Sequence, residues 1–248
     1  MKKYILFSIV VLAVLWVLGS TQPTEAATIN AASCSYADVS VAIAAALAGD
    51  TVSVPSGSCT WPAKLTITKG INLIGAGVDV TIINSNVAGT LIEYNPSNRS
   101  LNSPFRFSGF TIDFNNKPPT TSHCGIYFTA VAGIPQTRVR IDNNKFKNAL
   151  CILAPHGAFG VVDNNTFDNS PAPVRNDFCY QYGLYQWENY PDIIFGADEN
   201  NLYFEDNIFT NMSGGMSVEQ CAQRYAFRNN QYYESGQSYH VLIAEYET

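Results

Sequence analysis

Three acidic residues occupy the same position in successive copies of a short repeat. They are Asp142 in VRIDNNKFKN, Asp163 in GVVDNNTFDN and Glu205 in LYFEDNIFTN. If the copies lie side by side, the three carboxylates can supply oxygen ligands for Ca²⁺, and Asp163 with Glu205 can act as a catalytic acid and base. The alternative is structural, because an acidic residue before a bend also accepts hydrogen bonds from backbone N–H groups. The sequence leaves both interpretations open.

A second set of candidate catalytic residues lies in predicted loops. His156 stands in the short connection ILAPHGAFG, and Glu188 stands in a longer insertion at the matching place in the next copy. Long loops on a rigid scaffold often carry binding and catalytic residues. A single loop histidine is also an ordinary exposed turn residue, and this alternative stays open.

Arg140 and three aromatic residues are the candidate substrate-binding groups. Arg140 can meet a sugar carboxylate, and the rings of Tyr185, Trp187 and Tyr190 can stack on sugar faces. Arg140 can equally pair with a neighbouring acid, and the aromatic rings can pack the insertion against the rest of the domain. A carbohydrate-binding module without catalysis would show the same residues.

The spacing of the repeat predicts the elements that position these side chains. The second asparagine of each copy falls at Asn144, Asn165, Asn207 and Asn230, so successive positions differ by 21, 42 and 23. The shorter of these spacings are typical of a solenoid, in which each repeat buries its apolar face against its neighbours. Alternating apolar residues before each asparagine pair indicate a strand with one buried face.

The residues after each strand predict a stacked bend. An asparagine pair suits the left-handed backbone of a tight turn, so the second asparagines are expected to form a hydrogen-bonded ladder. The aromatic residue that follows each pair is expected to stack inside the coil. We predict second strands after the bends at CGIYF, ALCIL, GLYQW, GGMSV and YHVLI.

The double interval between Asn165 and Asn207 allows two interpretations. One is a single enlarged coil with insertions at residues 170–182 and 188–201, and the other is two coils of normal length. The enlarged coil is favoured because no middle copy of the Asn-Asn-x-aromatic pattern is present.

Residues 1–26 are predicted to be a secretory signal peptide. Lys2 and Lys3 precede an apolar run at residues 4–18, and small residues at Thr24 and Ala26 suit cleavage after Ala26. The alternative is an uncleaved membrane anchor, although the run is shorter than the ~20 residues of a spanning helix. Export agrees with an even number of cysteines, six in all. Residues 27–248 are then expected to form one domain without membrane contact.

Charge restricts the partners of the protein. The net charge is -6, only 14% of residues are charged, and no basic run is present. Nucleic acid is therefore not an expected partner, because phosphate binding needs clustered Lys and Arg. An acidic polysaccharide would need a local arginine group or a bound cation. The apolar end YHVLIAEYET lacks a polar cap, which leaves open whether a further coil or a partner completes the stack.

One long stretch resembles a known superfamily. CSYADVSVAIAAALAGDTVSVPSGSCTW, followed by INLIGAG, is similar to the entry of the pectate-lyase-like right-handed parallel β-helix proteins. The resemblance covers nearly all of residues 27–248 and implies an all-β solenoid with a short N-terminal capping α-helix. It also implies a disulfide between Cys34 and Cys59. The pairing of the other four cysteines stays open: Cys124, Cys151, Cys179 and Cys221.

The resemblance implies activity on acidic polysaccharides in a groove along the coils. A lyase needs a base for the C5 proton with Arg or Ca²⁺ to stabilise the carboxylate, and a hydrolase needs two carboxyl groups ~5 to 9.5 Å apart. The chain lacks the Asp-His pair of the pectate-lyase signature and the paired-Asp motifs of polygalacturonase-type hydrolases. We therefore hold a lyase or hydrolase as the first hypothesis. The alternatives are a non-catalytic glycan-binding or adhesion protein and a purely structural solenoid.

Overall fold

The structure is a computed structural model, and it describes eleven stretches of the chain. They are residues 25–115, 124–129, 134, 136–149, 151–155, 157–171, 174, 201–212, 216–217, 224–233 and 241–242. The first part of the chain contains β1 (Thr28–Asn30), α1 (Tyr36–Ala45), β2 (Thr51–Val54), β3 (Gly57–Trp61), β4 (Leu65–Ile67), β5 (Asn72–Gly75), β6 (Thr81–Ser85), β7 (Ile92–Tyr94), a 3-10 helix (Arg99–Leu101), β8 (Phe105–Ser108) and β9 (Thr111–Asp113). The second part contains β10 (Ile126–Phe128), β11 (Gln136–Asp142), β12 (Lys145–Lys147), β13 (Leu153–Ala154), β14 (Ala158–Asp163), β15 (Thr166–Asp168), β16 (Asn201–Glu205), β17 (Ile208–Thr210), β18 (Met216–Ser217), β19 (Arg224–Arg228), β20 (Gln231–Tyr233) and β21 (Val241–Leu242).

The strands stack in parallel sheets that the chain visits in a fixed order. Sheet A has the order β1-β2-β5-β8-β11-β14-β16-β19, sheet B the order β3-β6-β9-β12-β15-β17-β20, and sheet C the order β4-β7-β10-β13. Strands β18 and β21 form a separate parallel pair. From β2 to β13, each circuit of the chain, here called a coil, passes from sheet A to sheet B and then to sheet C. This solenoid-like arrangement is compatible with the predicted parallel β-helix.

Each complete coil has three strands, whereas the sequence predicted two. The residues after each asparagine bend form sheet B, for example Lys145–Lys147 and Thr166–Asp168. These strands are three residues long, so they are too short to show the alternation by which a strand is recognised. Four of the predicted second strands are present in part: CGIYF contains β10, ALCIL contains the first residue of β13, GGMSV contains β18 and YHVLI contains β21. The fifth, GLYQW, lies outside the described residues.

The asparagine bends form as the sequence predicted. The first residue of each bend has a left-handed backbone, with φ of 53° at Asn143, 54° at Asn164 and 55° at Asp206. The second residue is buried or partly buried, and its side-chain oxygen accepts from the preceding coil. The donor is the Phe110 N–H at Asn144 and an asparagine at each later bend. Asn144 N–H and Nδ2 donate to Asn165 Oδ1 at 3.0 and 3.1 Å, and Asn165 donates in the same way to Asn207. The predicted ladder is confirmed.

The aromatic residues after the bends form a second stack in the core. Ring centroids are separated by 5.4 Å between Phe146 and Phe167, by 4.8 Å between Phe167 and Phe209, and by 5.0 Å between Phe209 and Tyr232. The first three of these rings are fully buried. Large buried rings contribute much of the apolar area that stabilises the coils.

The double interval between Asn165 and Asn207 is one enlarged coil. Asp163 on β14 is in register with Glu205 on β16, and Thr166 on β15 is in register with Ile208 on β17. No strand lies between these pairs in sheets A and B, so the favoured interpretation is confirmed. Within the insertions, Val174 forms a parallel bridge to Leu153, and residues 175–200 lie outside the described part of the chain.

Helix α1 and two disulfides fix the N-terminal and middle coils. The Ser35 hydroxyl caps α1 by accepting from the Asp38 N–H at 3.2 Å, and α1 packs on β1, β2, β3 and β4. The predicted disulfide between Cys34 and Cys59 is present, with Cα atoms 5.8 Å apart. Cys124 is paired with Cys151, which joins the coils of β10 and β13. Cys179 and Cys221 lie outside the described residues.

The predicted signal peptide falls almost wholly outside the structure, which describes only its last two residues. In the part of the chain that the structure does describe, no helix has the length and apolar character needed to cross a membrane.

Candidate functional site: the outer face of sheet A

Sheet A presents two columns of side chains on its outer face. Ile141, Val162 and Phe204 point into the core, so the residues on either side of them point outwards. The carboxylate column consists of Ser108, Asp142, Asp163, Glu205 and Arg228, which are in register on successive strands. The arginine column, two residues earlier on each strand, consists of Asn72, Arg106, Arg140, Val161, Tyr203 and Ala226.

The two columns are joined by paired hydrogen bonds that run from one coil to the next. Arg106 donates from Nε to Asp142 Oδ1 at 2.7 Å and from Nη2 to Oδ2. Arg140 donates from Nε and Nη2 to the two oxygens of Asp163, at 3.2 and 2.8 Å. Arg140 Nε also lies 3.8 Å from Asp142 Oδ1. The four side chains therefore form one row of alternating charge across β8, β11 and β14.

The neighbouring arginines keep Asp142 in its ionised form. Burial raises the pKa of Asp142, but hydrogen bonds and charge from Arg106, with smaller contributions from Asn143 and Arg140, outweigh burial and leave the pKa below its usual 3.8. The hydrogen bond with Asp142 raises the pKa of Arg106, and the bond with Asp163 raises that of Arg140. Asp142 is fully buried and ionised at neutral pH, so it has no proton to donate as a general acid.

Each paired arginine keeps one edge turned to solvent. A guanidinium group carries five N–H donors in a rigid fork, and the paired bonds use only Nε and one N–H of Nη2. The side chains of Arg106 and Arg140 are 40% and 50% exposed. Among the described residues, no acceptor contacts Nη1 of either side chain. The aspartates thus hold two cations in place while donors remain for an anionic ligand.

The arginine column ends beside an aromatic ring. Tyr203 lies two strands beyond Arg140, with Val161 between them. The guanidinium carbon of Arg228 lies 4.8 Å from the centroid of the Tyr203 ring, and Arg228 Nη1 donates to Glu205 Oε1 at 3.1 Å. This contact places the Arg228 cation over the partly exposed Tyr203 ring.

Two residues of this surface, Arg106 and Tyr203, were not among the predicted site residues. Arg106 stands in the loose copy FRFSGFTIDF, in which it aligns with Arg140 just as Ser108 aligns with Asp142. That alignment is the signal by which Arg106 was detectable. Tyr203 alternates with core residues inside a copy of the repeat, but its type alone did not distinguish it from a packing residue.

The carboxylates do not form a cation site in this arrangement. Asp142 and Asp163 direct their oxygens to guanidinium groups, and Glu205 accepts from Arg228. Across the residues that the structure describes, no group of three His, Cys, Asp or Glu side chains is placed to hold a metal ion. The donor set therefore does not fit Ca²⁺, and binding of calcium stays a prediction without structural support.

The other predicted site residues are not placed by the structure. His156 lies between Pro155 and Gly157 but is itself outside the described residues, and so are Glu188, Tyr185, Trp187 and Tyr190. Their predicted catalytic and substrate-binding roles stay predictions. The members of the predicted site that the structure brings together are Asp142, Asp163, Glu205 and Arg140.

Comparisons with known proteins do not assign a family. No protein-family model matches the chain, and no curated protein sequence matches it. Among solved structures, the chain is similar to ORF18 of Geobacillus virus E2, with 18% sequence identity over 80% of this chain and a TM-score of 0.39. The match covers 36% of the phage protein, so this chain spans about a third of its length. A likeness of this degree carries no argument about function.

Proposed function

We propose that the protein is a secreted, pectate-lyase-like, right-handed parallel β-helix whose sheet A surface binds an acidic polysaccharide. The observation that carries this proposal is the pair of half-exposed arginines, Arg106 and Arg140, fixed by Asp142 and Asp163. The two disulfides support an extracellular protein, because disulfides persist in oxidising compartments.

A carboxylated ligand suits these arginines. Guanidinium groups bind carboxylates through two parallel hydrogen bonds, and such charge-assisted bonds are about twice as strong as neutral ones. The arginines are held before the ligand arrives, so less side-chain freedom is lost on binding. Because each arginine is paired with an aspartate, this surface is locally neutral, which lessens the repulsion that the net charge of -6 would exert on an acidic polymer.

An extended ligand suits the geometry of the column. Neighbouring strands of a sheet lie ~4.8 Å apart, so Arg106, Arg140, Val161 and Tyr203 span three strand spacings along the stack. A chain of sugars laid along this line meets charged groups at one end and an aromatic ring at the other. A polymer can contact all of this line, whereas a single small molecule would reach only part of it.

The arrangement favours binding over catalysis by the carboxylate column. A hydrolase needs two carboxyl groups that contact the substrate, one of which holds a proton. The pKa of Asp142 is lowered, and both oxygens of Asp163 already accept hydrogen bonds from Arg140. Cleavage by a lyase or hydrolase stays a prediction that depends on Asp163 and Glu205 together with the loop residues His156 and Glu188. The non-catalytic glycan-binding protein is therefore the form of the proposal that the described contacts support best.

The test compares binding and turnover in the same samples. The protein, purified as its host exports it, is titrated calorimetrically with uronic-acid polysaccharides and with a neutral polysaccharide. Absorbance near 235 nm and new reducing ends are followed with Ca²⁺ and with a chelator. We expect binding to the acidic polymers alone. Replacing Arg140→Gln should lower the affinity about 10- to 100-fold, because hydrogen bonds to charged groups contribute ~1.5–3 kcal/mol.

The matched control removes a cation from another face. Lys145 lies on sheet B and pairs with Asp79 at 3.2 Å, so Lys145→Gln changes the net charge equally without touching sheet A. Equal losses in the two variants, or no binding by the parent protein, would reject the proposed surface. A rise at 235 nm would establish a lyase, and reducing ends without that rise would establish a hydrolase.

A further inference from the structure

Asp50 is a buried carboxylate that binds the backbone just ahead of β1. It lies between α1 and β2 and is 7% exposed. Its Oδ2 accepts from the Leu47 N–H at 2.7 Å, and its Oδ1 accepts from the Ala27 N–H at 2.8 Å. The hydrogen bonds from Leu47 and Ala27, with a smaller contribution from the charge of Lys69, outweigh burial and hold the pKa of Asp50 below its usual 3.8. The carboxylate is therefore ionised at neutral pH.

The charge of Asp50 is not matched by a cationic side chain in direct contact. Among the described residues, no Lys or Arg side chain is hydrogen-bonded to Asp50, and Lys69 Nζ donates instead to the carbonyl oxygens of Ala44 and Ala46. The carboxylate also lies near the C-terminal end of α1, where the helix dipole favours a cation over an anion. The last turn of α1 has no basic residue of its own. A cation bound to Asp50 is therefore favourable at this place.

The backbone of Ala27 is fixed against Asp50 by the strand that follows it. Thr28 on β1 is in register with Thr51 on β2, and the Ala27 carbonyl oxygen accepts from the Thr51 N–H at 2.8 Å. Both backbone groups of Ala27 are thus bound to two adjacent residues, Asp50 and Thr51. Ala27 itself is exposed, as are the two residues before it. Its nitrogen therefore meets the carboxylate on one side and has access to solvent on the other.

The predicted cleavage after Ala26 changes the nitrogen that Asp50 binds. In the uncleaved chain this nitrogen belongs to a peptide bond and carries one neutral N–H. In the cleaved chain it is an α-ammonium group with three N–H donors and a positive charge. We infer that the α-ammonium group of Ala27 is bound by Asp50 in the exported protein, so that removal of the signal peptide creates an ion pair that holds β1 to the first coil (β2 to β4). This inference rests on the export stated in the proposed function, but not on the ligand of sheet A.

The geometry specifies one first residue for the exported chain. A chain that began at Ala26 would keep a neutral N–H at Ala27 and would carry its charge one residue away, across a Cα–Cα distance of ~3.8 Å. A chain that began at Thr28 would lose both hydrogen bonds of Ala27. Charge-assisted hydrogen bonds are about twice as strong as neutral ones, and a carboxylate with little exposure is screened less by salt. A start at Ala27 is therefore the one that gives Asp50 a charged donor.

The ion pair makes stability depend on pH with a definite sign. Pairing with Asp50 raises the pKa of the α-amino group above its usual ~7.7–8.0. The stabilisation is fully present below that unfolded value and is lost as pH rises through the raised pKa. Asp50 and Lys69 are the charged groups that face this position. Strands β1, β2 and β5 contain no titratable residue, and α1 carries Tyr36 and Asp38 at its opposite end.

The experiment combines mass measurement with titration. The intact mass of the exported protein gives its first residue, and NMR titration gives the pKa of its α-amino group. We expect a start at Ala27 and a pKa above the usual range of ~7.7–8.0. Urea unfolding from about pH 7 to about pH 10 should show a free energy of unfolding that falls as the ammonium loses its proton. The fall should be smaller in Asp50→Asn and in a chain that begins at Ala26.

The two comparison proteins separate the ion pair from a structural role of Asp50. Asp50→Asn also weakens the hydrogen bond from Leu47, so it is expected to lower stability at every pH. The chain that begins at Ala26 keeps Asp50 and moves only the charge, so it should lose the pH-dependent part alone. A different first residue, an unshifted α-amino pKa, or an equal fall in the chain that begins at Ala26 would overturn the inference and leave export intact. A protein that keeps residues 1–26 would overturn both.

Discussion

Arg140 on β11 donates two hydrogen bonds to Asp163 on β14, so a carboxylate of one coil fixes the guanidinium group of the coil before it. Arg106 and Asp142 repeat this relationship one coil earlier. The aspartates that the sequence marked as candidate catalytic or calcium-binding groups thus act in the structure as supports for arginines.

Replacing Asp163→Asn tests whether that support matters for the ligand. The variant makes the surface more positive, so attraction alone would raise its affinity for an acidic polysaccharide. We expect the opposite, a loss of about three- to tenfold, because Arg140 regains freedom that costs ~0.5–1.5 kcal/mol to remove again on binding. Calorimetric titration gives the affinity. Asp168→Asn on sheet B is the control, and an affinity that rises in both variants would contradict positioning by Asp163.

Acid is expected to destabilise the fold through Asp142. The pKa of this carboxyl lies below 3.8 in the folded protein, so its stabilising contribution is present above the unfolded value. The contribution is lost as pH falls through the folded pKa. Asp142→Asn should lower the free energy of unfolding at pH 7 by about 1–3 kcal/mol, since Arg106 loses a charged partner. Urea unfolding at pH 7 and pH 3 should show a smaller pH dependence for the variant, and an unchanged dependence would argue against this role.

The asparagine ladder is expected to be a main source of stability. Asn165→Ala removes the acceptor of two hydrogen bonds from Asn144 and leaves buried donors without a partner. Each such donor costs ~1–3 kcal/mol, so a loss of about 2–5 kcal/mol is expected in urea unfolding. The neighbouring Asn164 is exposed and left-handed, with φ of 54°, and Asn164→Gly should change stability by less than about 1 kcal/mol. If both variants lost a similar free energy of unfolding, the stability would come from the bend and not from the ladder.

Tyr94→Phe is expected to stabilise the protein. The ring of Tyr94 stacks on Phe105 with centroids 4.2 Å apart, and burial raises the pKa of its hydroxyl to about 12. Within the described residues this buried hydroxyl has no hydrogen-bond partner. Its removal should raise the free energy of unfolding by about 1 kcal/mol, because an unsatisfied buried donor is eliminated while the stack is kept.

The control for that variant is a tyrosine whose hydroxyl is used. Tyr36 Oη donates to the Lys64 carbonyl oxygen at 3.1 Å, so Tyr36→Phe should lower stability by about 0.5–1 kcal/mol. Thermal or urea unfolding of the two variants gives the comparison. A loss at Tyr94 as large as that at Tyr36 would show that its hydroxyl is hydrogen-bonded in solution.

The repeat by itself determined the coil, because its signals are local and periodic. An asparagine pair that recurs at solenoid spacing selects a left-handed bend and an inward amide, and coils that stack in register bring those amides within hydrogen-bond distance. The single enlarged coil followed from the same pattern. The disulfide between Cys34 and Cys59 was implied by the superfamily resemblance, whereas the pairing of Cys124 with Cys151 was not.

The tertiary structure decided what the charged residues do. The sequence placed Asp142, Asp163 and Glu205 in one column, but their partners come from a column two residues earlier on the preceding coil, or from the coil beyond. That offset depends on the reach of an arginine side chain across the strand spacing, which no periodic pattern records. The third strand of each coil was also decided at this level, since three residues become a strand only when neighbouring coils supply their hydrogen bonds.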